Sequence, residues 1–314
     1  MRGMLRFYSA DEVHAALDPH RLVAALRAAF IEGAEVPLRH THALGGDDSL
    51  LLMPAWNAAA LGVKLVTVMP SAAARGHNTV AATYVLLDRA TGEPRALLDG
   101  EALTLRRTAA ASALAAQSMA RADAETLLVI GSGRLAPYMA QAHWALRPQL
   151  KRVLVWGRSD PRVQSVAQRL RDAGLPVAVA PDLEAAIRSA QIVCCATTAS
   201  TPPVRGAWLT PGTHLDLVGG FRRAMREADD AAVARARIVV DTYRGALAEA
   251  GDIVVPLETG VIAREAIVGE LADLVSGRVQ GRTAPAQITL FKSVGTALED
   301  LAAAQLVVAQ ATGA

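Results

Sequence analysis

The chain holds only two cysteines in 314 residues, and they are neighbours, Cys194 and Cys195, set beside Ile192, Val193 and Ala196. That leaves no disulfide framework, and the pair reads as small hydrophobes inside a buried strand. Charge of one sign is lacking too. Thirty-two Lys and Arg against 30 Asp and Glu leave a net charge of +2, so no basic field marks nucleic acid as a partner. No uncharged apolar run is long enough to span a bilayer, and Arg2, Arg6, Asp11 and Glu12 interrupt the opening residues, unlike a secretory leader. A cytoplasmic protein engaging neither membrane nor nucleic acid is expected. Seven scattered histidines and the cysteine pair show no chelating spacing, so no metal site is expected either.

What is present is apolar residue in quantity, 52% of a chain long enough for two domains. The middle alternates strands with helices: "TLLVIG" from Thr126, a helix to Leu146, "RVLVWG" from Arg152, a helix opening at Ser159-Asp160-Pro161 and stopping near Gly174, "PVAVA" from Pro176, the helix "DLEAAIRSA" from Asp182, then "QIVCCAT", "THLDLVG" and "ARIVVDT". Apolar strands separated by helices imply a doubly wound parallel sheet covered on both faces. The first part differs. Asp18-Pro19 opens a helix ending by Gly33, and "SLLLMPAW", "LGVKLVTVMP" and "TYVLLDRATGEPRALL" read as strands, the last a hairpin around Thr91-Gly92, which is an α+β pattern. Proline-free, alanine-rich Glu101 to Ala120 is expected as a helix, and the tail after Phe291 as another, folding back onto the first domain.

The stretch "LLVIGSGRLA", Leu127 to Ala136, runs a strand into a glycine turn and a helix. Gly131 allows the tight bend, Gly133 lets backbone approach a pyrophosphate, Ala136 lets helix sit close to strand, and the helix N-terminus faces the phosphates. A dinucleotide is the expected ligand. The second strand ends in "VWGRS" rather than in an acid, so Arg158 is placed to pair with a 2′-phosphate; NADP(H) is favoured and NAD(H) is the alternative, with Arg158 then stacking on adenine or facing water.

Three cations occupy unusual contexts. Lys64 lies inside an apolar strand, Arg106 and Arg107 sit side by side in an apolar helix, and Arg39 precedes His40-Thr41-His42. Each alone can reach solvent or meet a structural acid. Together they suggest a pocket for a small carboxylate. His40 and His42, next to Arg39, are candidate proton donors, with structural hydrogen bonding as the other reading.

The segments "LGVKLVTVMP", "TGEPRALLDGEALTLRRTAAASALAA", "GSGRLA", "PGTHLDLVGG" and "FKSVGTALEDLAAA" resemble the ornithine cyclodeaminase/μ-crystallin family over nearly the whole chain. The resemblance implies an α/β fold in which a Rossmann-type dinucleotide domain, residues 119–291, is inserted in an α+β substrate-binding and dimerisation domain, residues 1–118 plus 292–314. It implies a homodimer. It places Arg39, Lys64 and Arg107, with Thr79, on a substrate carboxylate; the expected catalytic residues are Lys64 and, from its imidazole next to that anchor rather than from the resemblance, His42. The expected cofactor contacts are Thr108, Gly131, Ser132, Gly133, Arg134, Leu135, Ala136, Trp156, Arg158, Ala196, Thr197, Val218, Lys292 and Ser293.

In the cyclodeaminases of this family an aspartate follows the glycine pair and handles the substrate amine; Phe221 stands there in this chain and can neither accept a proton nor hold an ammonium by charge. The wording "GTHLDLVGGFRRAMREADD", with "RHTH" upstream, is similar to the branch that reduces Δ1-pyrroline-2-carboxylate or Δ1-piperideine-2-carboxylate. Reduction of a small cyclic imino acid to L-proline or L-pipecolate is therefore expected. The competing expectations are a cyclodeaminase-type lyase recruiting Asp216, an alanine dehydrogenase, and a non-catalytic NADPH-binding crystallin-like protein.

Overall fold

The computed structural model describes residues 5–73, 75–76 and 79–312. The chain divides into two compact units, 1–107 with 296–314, and 108–295, against expected divisions at 118/119 and 291/292.

The first unit opens with β1 (Arg6–Tyr8), α1 (Ala10–Ala16) and α2 (Pro19–Glu32). Asp18 caps α2 by accepting the His20 and Arg21 amides, Pro19 presets the first turn, and Gly33 at φ 81° ends it. Then come β2 (His40–Gly45), β3 (Asp48–Trp56), β4 (Ala60–Val68), α3 (Pro70–Ala73), β5 (Val80–Asp88), β6 (Pro94–Asp99) and α4 (Gly100–Met119), inside which the first division falls. The sheet runs β1-β6-β5-β4-β3-β2, antiparallel except for the β1–β6 pair. Strand periodicity splits it into two faces. Leu51, Met53, Lys64, Tyr84 and Leu98 point inward and are buried, whereas Leu50, Leu52, Val63, Leu65, Val85 and Leu97 share the outward face.

In the second unit every strand pair is parallel, in the order β9-β8-β7-β10-β11-β14-β12-β13. Its elements are β7 (Thr126–Ile130), α5 (Ala136–Leu146), β8 (Arg152–Trp156), α6 (Asp160–Asp172), β9 (Val177–Val179), α7 (Leu183–Ser189), β10 (Ile192–Cys195), β11 (His214–Leu217), α8 (Asp230–Ala234), β12 (Ala236–Val240), α9 (Tyr243–Glu249), α10 (Gly251–Glu258), β13 (Ile267–Glu270), α11 (Leu271–Val275) and β14 (Ile288–Lys292). Central strands are buried on both faces, which is why they read as unbroken apolar runs. The fold comprises a Rossmann-like parallel sheet and an α+β unit. Strand order reverses between β7 and β10, the topological switch where such sheets bind ligands.

One element departs from the sequence reading. The segment after Phe291 is not a single helix: Phe291 and Lys292 end β14, Gly295 breaks the chain at φ 81°, and α12 (Ala297–Thr312) begins only then. It rejoins the first unit, packing on α2, β3, β4 and β5.

Cys194 is a buried strand residue, but it is not apolar in its company. Its thiol donates to Asp216 and meets His143 Nε2 at 3.1 Å, while Ser112 donates to the other oxygen of Asp216. His214, two residues before Asp216, bonds Thr289 through Nδ1 at 3.0 Å and is fully buried. Burial holds its pKa down from 6.5 to about 3, against the pull of Asp216. The unfolded chain takes up this proton below pH 6.5 and the folded one does not, so His214 removes stability as pH falls from 6.5 towards 3. The thermal midpoint should fall across that window, and His214→Asn should flatten the slope; an unchanged slope would clear His214 of the effect.

Candidate active site

The turn after β7 has two glycines with different reasons to be there. Gly131 has φ 135°, and a Cβ on it would meet the Ala196 carbonyl oxygen, at the end of β10, at 2.6 Å. At Gly133 a Cβ would meet nothing within 4 Å: this backbone faces open space. Ser132 lies against Gly157, and Arg134 and Leu135 lead into α5, whose first turn, begun by buried Ala136, has no side-chain cap. The Ala136 and Tyr138 amides donate to the Gly133 and Leu135 carbonyls and Pro137 has no N–H, so it is the open backbone at Gly133 beside a helix N-terminus that fits a pyrophosphate.

At the end of β8, Trp156 is half-buried and Arg158 exposed. Trp156, Gly157, Asp160, Val163, Val179 and Pro181 line a cavity of about 330 Å³. Asp160 is thus an acid beside the strand end that the "VWGRS" reading passed over.

The remaining cofactor candidates lie at the carboxyl ends of β10, β11 and β14 or on α4. Ala196 and Thr197 are half-buried, while Thr108, Val218, Lys292 and Ser293 are buried. The polar groups of Thr197, Lys292 and Ser293 serve buried carboxylates. Glu227 accepts the amides of Thr197 at 2.7 Å and Gly219 at 2.8 Å and the Thr197 hydroxyl at 3.0 Å. Lys292 forms an ion pair with Asp252 at 3.0 Å and lies 3.7 Å from Glu227. Burial works against the Lys292 charge, but Asp252 and Glu227 outweigh it and raise its pKa. The Ser293 hydroxyl donates to Asp241, which also accepts the Val294 and Gly295 amides. Lys292 and Ser293 are therefore committed to bracing loops at the sheet's carboxyl end. None of Glu227, Asp241 and Asp252 was singled out in the sequence, because acids in polar loops give no sign of burial.

In the first unit Lys64 and Arg107 meet. Lys64 Nζ donates to Asp300 Oδ1 at 2.9 Å, lies 2.8 Å from Oδ2 and donates to Thr104 at 3.2 Å. Arg107 Nε donates to the same Asp300 Oδ1 at 3.0 Å and one η nitrogen to Glu299 at 2.7 Å; its other η nitrogen has no bond among the described residues. Of the adjacent arginines, Arg106 turns instead to His14. Burial lowers the Lys64 pKa from 10.5 to about 8, with Arg107 and Arg39 in the same direction and Asp300 opposing. Asp300 is pushed up by burial but held below its usual value by Lys64 and Arg107. Asp300 and Glu299 escaped the sequence reading. Their one signal was an acidic pair in the otherwise apolar "TALEDLAAAQLVV".

Arg39 is half-buried and close enough to act on Lys64, while Thr79 is exposed just before β5. The two histidines are set apart. His40 pairs with Leu52 and His42 with Leu50, on the exposed edge strand β2, so both side chains belong to the outward face and Lys64 to the inward one. That geometry gives no support to His42 as a proton donor beside Lys64. No metal ligation was expected; among the described residues His143, Cys194 and Asp216 do converge, with their ligand atoms within 4.8 Å of one another, and they hydrogen-bond to one another, His143 through Nε2, while His143 Nδ1 has no partner among the described residues.

Comparison with known proteins gives each unit a context. A plant protein, SAR DEFICIENT 4 of Arabidopsis thaliana, is 40% identical over 279 residues, 86% of either chain. Delta(1)-pyrroline-2-carboxylate reductase of Colwellia psychrerythraea is 36% identical over 313 residues, 97% of this chain and 98% of the relative. The structure of the Thermococcus litoralis enzyme of that name, in complex with NADH and L-proline, superposes with a TM-score of 0.93 at 33% identity, covering 99% of this chain and 98% of that one. Residues 7–314 match the model of the ornithine cyclodeaminase/mu-crystallin family, and the chain belongs to that family.

Proposed function

We propose that the protein is an NAD(P)H-dependent reductase of small cyclic imino acids, taking Δ1-pyrroline-2-carboxylate to L-proline, Δ1-piperideine-2-carboxylate to L-pipecolate, or both. The observation that carries this reading is the buried pair Lys64 and Arg107, two cations of one sheet-and-helix layer with guanidinium donor capacity left over. A substrate carboxylate satisfies that capacity, and a planar guanidinium grips it with directional bonds. When bound by the turn from Gly131 to Ala136, the reduced nicotinamide supplies the hydride that turns C=N into CH–NH. The chain's own task is to hold the ring by its carboxylate and to deliver one proton to nitrogen. Lys64, with a pKa of about 8, is charged at neutral pH and close enough to it to give that proton up. Phe221, half-buried and packed with the core of its unit, offers no carboxylate for an amine-releasing cycle. The names of the reductases from Colwellia psychrerythraea and Thermococcus litoralis support the same reading.

NADP(H) is the proposed preference, resting on exposed Arg158; Asp160, lining the neighbouring cavity, is the acid suited to a ribose diol. The proposed assembly is a homodimer in the cytoplasm. The outward face of the first unit's sheet is apolar yet partly open, with Leu65 38% and Phe7 54% exposed. A flat apolar sheet face is self-complementary under a two-fold axis.

The primary test is NAD(P)H oxidation with each cyclic imino acid, set against pyruvate plus ammonia and against ammonia release from ornithine. Turnover of an imino acid is expected; its absence beside either rival reaction sinks the proposal. Lys64→Met keeps Arg107 on Asp300, so the fold survives while kcat/KM drops by about a hundredfold or more, the scale of a lost charged contact and proton donor, and nucleotide affinity holds. Arg158→Ala should weaken NADPH use about tenfold or more and NADH use little, as a lost guanidinium–phosphate contact requires; equal losses would return Arg158 to a stacking role. Val85→Glu on the outward face should yield monomers by sedimentation velocity, and an already monomeric parent protein would refute the dimer.

A further inference from the structure

The cations of the first unit are held by an acid from the far end of the chain. Asp300 is fully buried on α12, and a single oxygen, Oδ1, accepts from Lys64 Nζ at 2.9 Å and from Arg107 Nε at 3.0 Å. Its second oxygen lies 2.8 Å from the same ammonium. Lys64 comes from β4, Arg107 from α4 and the carboxylate from α12, so no two of the three share an element. Glu299, the preceding residue, takes a different nitrogen of Arg107, and two successive acids thereby fix the plane of one guanidinium.

We propose that Asp300 is the positioning residue of the anion site: its shared carboxylate sets the spacing and direction in which Lys64 and Arg107 present their remaining donors to a substrate carboxylate. This rests on the reading of Lys64 and Arg107 as substrate anchors. Asp300 itself repels a substrate anion, and the proposal requires that this cost be smaller than the gain from the order it imposes on two long side chains.

The groups facing Lys64 give Asp300 a second consequence. Arg107 comes from α4, Arg39 from the segment before β2, Asp300 from α12 and Tyr84 from β5 at the paired register position. Tyr84 is buried with its hydroxyl unpartnered among the described residues; burial, then Asp300, keeps it a neutral phenol. Burial and the two arginines all drive Lys64 towards the neutral amine, and Asp300 is the group that opposes them. Without its charge Lys64 loses its proton at a lower pH, and both the anchor and the proton go with it.

Asp300→Asn keeps size and hydrogen bonding and removes the charge. Compared with the parent protein at matched NADPH, the variant should show KM for Δ1-pyrroline-2-carboxylate raised about tenfold or more at pH 7, the scale of a disrupted buried charge contact. The alkaline limb of kcat/KM, expected near pH 8 from Lys64, should move acidward. NADPH affinity by fluorescence should hold within about twofold, since the nucleotide turn contains none of these residues. A variant with lowered turnover but parental KM and an unmoved limb overturns the proposal, because a merely structural acid gives that pattern. Should Asp300→Asn fail to fold, Asp300→Glu decides: it keeps the charge and alters the reach, so the limb stays while KM rises, and a parental KM overturns the positioning role. Lys64→Met with a parental KM is the separate result that removes the anchor reading itself, whatever Asp300 variants do.

Discussion

A carboxylate without water, shared by an ammonium and a guanidinium, is the constraint around which the first unit is organised. Each of these charges alone would be expensive to bury, and their attraction repays the loss of water only when the geometry is tight and the hydrogen bonds are complete. The structure meets the geometric half of that condition by drawing strand β4, helix α4 and helix α12 together at Lys64, Arg107 and Asp300, and leaves one η nitrogen of Arg107 unbonded among the described residues. The inward face of the sheet supplies the apolar surround, with Met53 and Tyr84 at the register positions on either side of Lys64. Low polarity there strengthens the charge contacts among the three groups.

The second unit uses the same chemistry for a different end. Glu227 and Asp241 sit in loops that leave the carboxyl ends of the strands and Asp252 in the first turn of α10, and their acceptors take up loop amides that would otherwise be left unpaired. Lys292 balances two of the three. Loops that read as polar connections are thereby held as firmly as the strands. The turn after β7 differs: α5 begins there without a side-chain cap.

How much of this was legible in the sequence follows from the range of each interaction. The strand, glycine turn and helix around Gly131 are local, and so were plain from ten consecutive residues. Lys64 was conspicuous because an ammonium interrupts an apolar strand. Its counterion was not, because nothing ties residue 64 to residue 300 except the closed fold. The face occupied by His40 and His42 was equally hidden. It depends on the register between β2 and β3, which shifts between Ala43 and Gly45, and a one-residue slip exchanges the two faces of a strand. Beyond Phe291 an apolar run and a helix blended into one pattern, and only the sheet partners of β14 separate them.

The first unit is built from both ends of the chain, and this bears on how the molecule comes into being during synthesis. When β4 and α4 leave the ribosome, Lys64 and Arg107 are charged groups destined for an interior whose neutralising acids have not yet been translated. The second unit can close on itself in the interval, since all its strands precede Thr296. The ion pairs of the first unit are thus completed only once α12 has been made, later than every strand of the second unit.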